Sequence, residues 1–251
     1  MIRGVLFDLG GVLYVGDRPL PGAREALISL RAAGIPMRFI TNTTRLPRNG
    51  VVARLAAMNL KIPAQYLFTP AQAARSYLAA HQLTPHLLVH PRLHGEFADL
   101  IKDGPANAVL MGDAGHAFTY ETLNTAFRLL LDGAPLLAMG KNRYFKERDG
   151  LSLDIGPFVV ALEYAADVDA VILGKPAPDF FLAAVASLGL PPEEVVMIGD
   201  DAAADVGGAL AAGLQGILVR TGKYRPGDEA EVLARGARVF ANVDEAVDYI
   251  L

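Results

Sequence analysis

Four short apolar runs in this chain each end on a residue that could do chemistry. Gly4-Val5-Leu6-Phe7 leads to Asp8, and Met37-Arg38-Phe39-Ile40 leads to Thr41 and Asn42. Val171-Ile172-Leu173-Gly174 leads to Lys175, and Val195-Val196-Met197-Ile198-Gly199 leads to Asp200 and Asp201, with Asp205 close behind. Carboxylates, a hydroxyl, an amide and one ammonium at a common edge would suit a phosphoryl group and a divalent cation.

The runs themselves say how such an edge could form. Each is short and rich in β-branched or large apolar residues, the pattern of a strand buried on both faces. Ligands of open parallel sheets gather at the carboxyl ends of the strands. The sequence therefore predicts that these four strand ends meet.

Taken singly, the positions differ in how much they say. Asp8 alone is equally a turn residue or an N-cap; the following Gly10-Gly11 lets the backbone turn tightly and offers carbonyls to a cation. These glycines are no dinucleotide fingerprint, because a third glycine is missing and Val12-Leu13-Tyr14-Val15 follows rather than a helix. Thr41-Asn42-Thr43-Thr44 could cap a helix or donate to phosphate oxygens. Lys175 needs an anionic partner if its head group is enclosed. Asp200, Asp201 and Asp205 would repel one another by several kcal/mol at contact range unless solvated or neutralised by a cation. A set of aspartate oxygens favours Mg²⁺ over zinc.

The five histidines carry no comparable pattern. His86, His90 and His94 recur at helical spacing, but Pro85 and Pro91 break a helix there and Leu87–Val89 reads as strand. His81 and His116 stand apart. No Gly-x-Ser-x-Gly elbow suggests a serine nucleophile.

Bulk composition narrows the class. The chain has 251 residues, is 52% apolar and carries a formal charge of −4 with its basic residues scattered, which argues against a nucleic-acid groove or an anionic membrane surface. It contains no cysteine, so a disulfide framework and a thiolate metal site are excluded. The longest apolar stretch, Phe127 to Met139, is interrupted by Arg128, Asp132, Gly133 and Pro135 and is too short to span a bilayer. A cytoplasmic protein is expected.

Along the chain, strands and helices alternate up to about residue 82 and again from 171. Thr69-Pro70 reads as an N-cap followed by proline at the first helical position. The block between holds strands near Leu87–Val89, Ala108–Met111 and Leu136–Met139, with helices near Gly95–Ile101, Tyr120–Leu131 and Phe158–Ala166. All four polar-tipped strands lie outside it. The expected fold is α/β: a Rossmann-like parallel-sheet core over 1–82 and 171–251, and an inserted α/β cap over 83–170.

These motifs, in this order, resemble the haloacid dehalogenase superfamily of aspartyl-phosphate hydrolases. Ala126-Phe127-Arg128-Leu129-Leu130-Leu131-Asp132-Gly133-Ala134-Pro135-Leu136, Gly140 to Lys146, Gly156-Pro157-Phe158 and Ala161-Leu162-Glu163-Tyr164 resemble its C2-capped branch, subfamily IIA. Within that branch the likeness is greatest to phosphatases of phospholysine, phosphohistidine and inorganic pyrophosphate. The resemblance implies Asp8 as nucleophile and Mg²⁺ held by Asp8, the Gly10 carbonyl and Asp200, with waters held by Asp201 or Asp205. It implies that Lys175, Thr41 and Asn42 bind the transferring phosphate. The cap is expected to cover the site and read the substrate through the Lys141–Lys146 loop, and a homodimer is expected.

One departure bears on substrate. The superfamily places a second aspartate two residues after the nucleophile as general acid and base; the branch resembled here carries serine, and this chain carries Gly10. Losing such help typically costs about 10²–10⁴ in rate. The expected substrates are then small molecules whose leaving groups need little protonation: phosphoramidates, pyrophosphate or aryl phosphates. The alternative is a weakly active or non-catalytic protein that keeps the fold for binding or regulation.

Overall fold

The runs ending at Asp8 and at Asp200 are neighbours in one parallel sheet, with Phe7 level with Ile198. The computed structural model describes residues 1–146 and 150–251. The chain divides into two compact units, one of Met1–Thr41, Gly50–Phe68 and Lys175–Leu251, the other of Asn42–Asn49 and Thr69–Gly174.

The first unit is built on a six-stranded parallel sheet in the order Arg238–Phe240, Gln215–Val219, Val195–Gly199, Gly4–Asp8, Met37–Ile40, Leu67–Phe68. Its two central strands, Gly4–Asp8 and Val195–Gly199, are buried at every residue, as their unbroken apolar character requires. From Gly4–Asp8 the chain runs outward through Met37–Ile40 on one side, while the last three strands add on the other. The strand order therefore reverses between Asp8 and Asp200. In an open α/β sheet that reversal leaves a crevice beyond the carboxyl ends.

The second unit has its own four-stranded parallel sheet, ordered Val171–Ile172, Leu136–Ala138, Ala108–Met111, Pro85–Leu88. Alternate residues of its central strands feed opposite faces, the period of two expected of a pleated strand. Leu110 and Leu137 join Ala71, Ala74 and Leu78 of the helix Pro70–Ala80. Val109, Met111, Leu136 and Ala138 join Ala126, Leu130, Val159 and Leu162 of the helices Tyr120–Leu131 and Gly156–Ala166. Helices on both faces explain why these strands read as continuous apolar runs. A short antiparallel hairpin pairs Tyr144–Lys146 with Leu151–Leu153.

The α/β class, parallel sheets and alternation of strands with helices match the sequence reading. Thr69 caps the helix Pro70–Ala80, its side chain accepting from the Gln72 N–H, with proline at the first turn. Three local expectations need correcting. Val171–Ile172 is not a strand of the core sheet: it pairs with Leu137–Ala138 at the edge of the second sheet, and Val171 is exposed, so its short apolar run was an edge rather than an interior strand. The strand expected at Leu87–Val89 covers Pro85–Leu88, since an edge position tolerates proline. The second unit also takes in the helix Pro70–Ala80 and Asn42–Asn49, which the sequence reading assigned to the core.

Candidate active site

Asp8 is the last residue of its central strand, and Asp200 directly follows the strand Val195–Gly199. The alternating pleat and parallel register bring both carboxylates to the reversal point of the first sheet. Exposure is 7% for Asp8, 3% for Lys175, 2% for Asp200 and 1% for Asp205. Four ionisable side chains are thus removed from water together.

Lys175 reaches this point from the loop before the helix Pro178–Ala186. Its ammonium donates to Asp8 Oδ1 at 2.5 Å and to Asp205 Oδ1 at 2.6 Å. Burial alone would lower the Lys175 ammonium, but Asp205 and Asp8 beside it reverse that and hold it above its ordinary value. It is a permanent cation between two carboxylates.

One oxygen from each of Asp8, Asp200 and Asp205 lies within 4.8 Å of the others. At that range each like-charged pair costs about 3–4 kcal/mol at an effective dielectric near 20. One ammonium cannot offset three carboxylates. Burial, then Asp8 and Asp205, push the Asp200 carboxyl up to about 8. Burial likewise raises Asp205, to about 6, although Lys175 pulls it back. A buried, oxygen-only, electron-rich trio of this kind fits a hard divalent cation.

Asp200 is held by the backbone as well as by charge. The Lys223 N–H donates to its Oδ2 at 2.6 Å. Gly11 (φ +90) and Gly222 (φ +61) both adopt left-handed backbone, and a Cβ at either position would overlap the Asp200 carboxylate. Thr221 ties the two loops together, its hydroxyl donating to the Gly11 carbonyl at 2.5 Å.

Asp201 and Asp205 take different tasks from one turn. The segment Ala202–Gly207 is a π-helical turn before the helix Gly208–Ala211. Asp201 caps it by accepting the Ala204 N–H at 2.9 Å, and its other oxygen lies 3.4 Å from Lys223 Nζ. The wide turn carries Asp205 back toward the strand end, where its Oδ2 accepts the Asp201 N–H at 3.2 Å. Such turns often re-aim a side chain at a functional site.

Of the residues singled out from sequence, Asp8, Lys175, Asp200 and Asp205 meet directly. Asp201 faces the turn and Lys223. Gly10 forms a bridge with Tyr14, and nothing lies within 4 Å of where its Cβ would be. Thr41 is buried after the strand adjacent to Asp8, its N–H donating to the Phe68 carbonyl at 3.2 Å. Asn42 belongs to the second unit, where its amide donates to Asn142 at 3.5 Å. Lys141, in the loop expected to read the substrate, pairs with Glu163 at 2.7 Å in that unit.

Sequence reasoning passed over Thr221, Gly222 and Lys223. The signal was there: like the other four runs, the buried strand Gln215–Val219 ends shortly before a hydroxyl, a glycine and an ammonium. Burial would lower Lys223, but Asp201, Asp205, Asp8 and Asp200 outweigh it and raise the ammonium. Arranged this way, the first unit offers a buried carboxylate beside a fixed cation, and a trio of carboxylates that could hold a metal ion.

Two family models match the chain. One described as haloacid dehalogenase-like hydrolase covers residues 5–101, and one described as HAD-hydrolase-like covers 172–246. The chain is 48% identical to the human haloacid dehalogenase-like hydrolase domain-containing protein 2, over 100% of this chain and 96% of the relative. It is 43% identical to the phospholysine phosphohistidine inorganic pyrophosphate phosphatase of Danio rerio, over 100% of this chain and 94% of that one. The crystal structure of 4-nitrophenylphosphatase from Thermotoga maritima superposes with a TM-score of 0.91 at 26% identity, covering 100% of this chain and 98% of that one.

Proposed function

This chain belongs to the haloacid dehalogenase-like hydrolase family, and from that premise we propose that it is a Mg²⁺-dependent phosphatase acting through an aspartyl-phosphate on Asp8. The observation that carries the reading is the Lys175 ammonium fixed between Asp8 and Asp205, with Asp200 completing a buried trio within 4.8 Å.

Each residue has a physical task in it. Asp8 attacks phosphorus and accepts the phosphoryl group, splitting one hard displacement into two. Lys175 offsets charge on the attacking carboxylate and on the phosphate, while Thr41 and Asn42 hold the transferring oxygens. Asp8 and Asp200, with the Gly10 carbonyl, provide the oxygens that would hold Mg²⁺, and Asp201 or Asp205 would orient its waters. When bound, the cation neutralises the phosphate so that a carboxylate can approach it. Phosphoryl transfer needs little more than such positioning and charge stabilisation.

Gly10 shapes the substrate class. With no carboxylate there to protonate a departing alkoxide, phosphoramidates, pyrophosphate and aryl phosphates should outpace alkyl esters. The phospholysine, phosphohistidine and pyrophosphate in the name of the Danio rerio relative are substrates of this kind. The second unit is read as the C2 cap of a protein active in the cytoplasm, as a homodimer. Among the described residues no helix is long and apolar enough to cross a membrane.

Hydrolysis of p-nitrophenyl phosphate with Mg²⁺, abolished by Asp8→Asn, tests the reading. A folded wild-type protein without turnover on any of these substrates would favour the rival in which Gly10 marks a non-catalytic binding or regulatory protein.

A further inference from the structure

We propose that Gly10 makes the phosphoryl group on Asp8 long-lived, and that the protein passes it to amine nucleophiles as well as to water. This nitrogen-directed phosphotransferase activity rests on the phosphatase reading above.

The argument concerns the second displacement. Water must lose a proton as it attacks phosphorus, so it depends on a general base. A neutral amine attacks through a lone pair it already has. Its nitrogen forms the new bond to phosphorus, the bond from phosphorus to Asp8 breaks, and the bonding pair returns to the carboxylate. The surplus N–H proton then leaves to solvent.

Among the described residues the site has no evident base for water. Gly10 offers none, and the space around its Cβ position is open. Asp205 is engaged by Lys175 and the Asp201 N–H, and Asp200 by the Lys223 N–H. Asp201 is engaged by the Ala204 N–H and Lys223. All five histidines, His81, His86, His90, His94 and His116, fall in the second unit, so the unit that holds Asp8 contains none. The remaining charged neighbours, Lys175 and Lys223, are cations. The arrangement allows Asp8 to load with phosphate while leaving water poorly equipped to unload it.

Rapid-quench mixing of the whole protein with p-nitrophenyl phosphate and Mg²⁺ tests this, with intact-mass analysis of the quenched protein. The expected result is a burst of p-nitrophenol stoichiometric with enzyme and a mass gain of one phosphoryl group on the peptide carrying Asp8. Imidazole should then accelerate steady-state release, with phosphoimidazole visible by phosphorus NMR. Gly10→Asp, whose Cβ meets nothing within 4 Å, should speed loss of the label by about 10²–10⁴ and remove the dependence on imidazole. Steady release of p-nitrophenol without burst, label or imidazole dependence would overturn the inference and leave the phosphatase reading standing. No p-nitrophenol even in the first turnover would sink both.

Discussion

The Lys175 ammonium donates to the Asp8 carboxylate across 2.5 Å with both side chains buried, so each depends on the other to stay charged out of water. Removing one member of such a pair costs about 3–5 kcal/mol, mostly from stranding the partner. Here Lys175→Met strands Asp8 and Asp205 together. Urea denaturation of the variant in chelator should show a loss of that order, part of which Mg²⁺ restores. A loss under about 1 kcal/mol would mean that water, not Lys175, screens these carboxylates.

Gly11 and Gly222 should be far less replaceable than Gly10, although all three are glycines near the same aspartates. The first two have positive φ and hand their Cβ space to Asp200, whereas Gly10 has neither constraint. Backbone strain alone costs about 1–3 kcal/mol per site. Gly11→Ala and Gly222→Ala should lower stability by at least that much. By displacing Asp200 they should also weaken Mg²⁺ binding by roughly 10–100-fold. Gly10→Ala should change stability little. Calorimetric titration with Mg²⁺ and denaturant midpoints check the set, and equal behaviour at all three positions would refute the cradle.

Asp113 organises a second, smaller network, inside the second unit. The Arg45 guanidinium donates to its carboxylate and lies over the Phe145 ring at 4.4 Å. The Gly115 N–H donates to Asp113 Oδ1 at 3.0 Å, and the Asp113 N–H to the Thr44 hydroxyl at 2.9 Å. These bonds explain why Asn42–Asn49 sides with that unit. Asp113→Ala should cost about 1.5–3 kcal/mol, the range for hydrogen bonds to a charged group. It should also speed tryptic cleavage after Arg45 and Arg48. Unchanged cleavage would show that the segment is held by something else.

How much of this was legible beforehand depended on whether the signal was local. Buried strands such as Gly4–Asp8 and Val195–Gly199 announce themselves because both faces are apolar, and a polar residue at the end is conspicuous. Val171–Ile172 mimicked that signal. Which sheet a two-residue strand joins is decided by distant partners, here Leu137 and Ala138, and its own residues carry no record of them. The Asp200 cradle was hidden for a similar reason. Gly11 and Gly222 are 211 positions apart, counted as 222 minus 11, and only the fold reveals that one carboxylate fills both. The π-helical turn at Ala202–Gly207 escaped notice because its alanines are ordinary helix formers, and the bonds that hold it, Asp201 accepting the Ala204 N–H and Asp205 accepting the Asp201 N–H, are visible only in the fold.

Metal-free stability should fall as pH rises through the range where Asp200 and Asp205 ionise. Both carboxyls are raised by burial from an unfolded value near 3.8, to about 8 and about 6. Between roughly pH 4 and 8 the folded state therefore binds more protons than the unfolded chain, and stability declines with increasing pH. His86 and His90, lowered by burial, contribute with the opposite sign at the acid end, so the measurement must be a difference. Subtracting the thermal midpoint of Asp200→Asn from that of the wild type at each pH cancels them. The difference should become more negative from pH 5 to pH 8 in chelator. Because a cation competes with these protons, added Mg²⁺ should raise the wild-type midpoint little at pH 5 and most near pH 8. A Mg²⁺ shift independent of pH would show that protons and the cation do not share these oxygens.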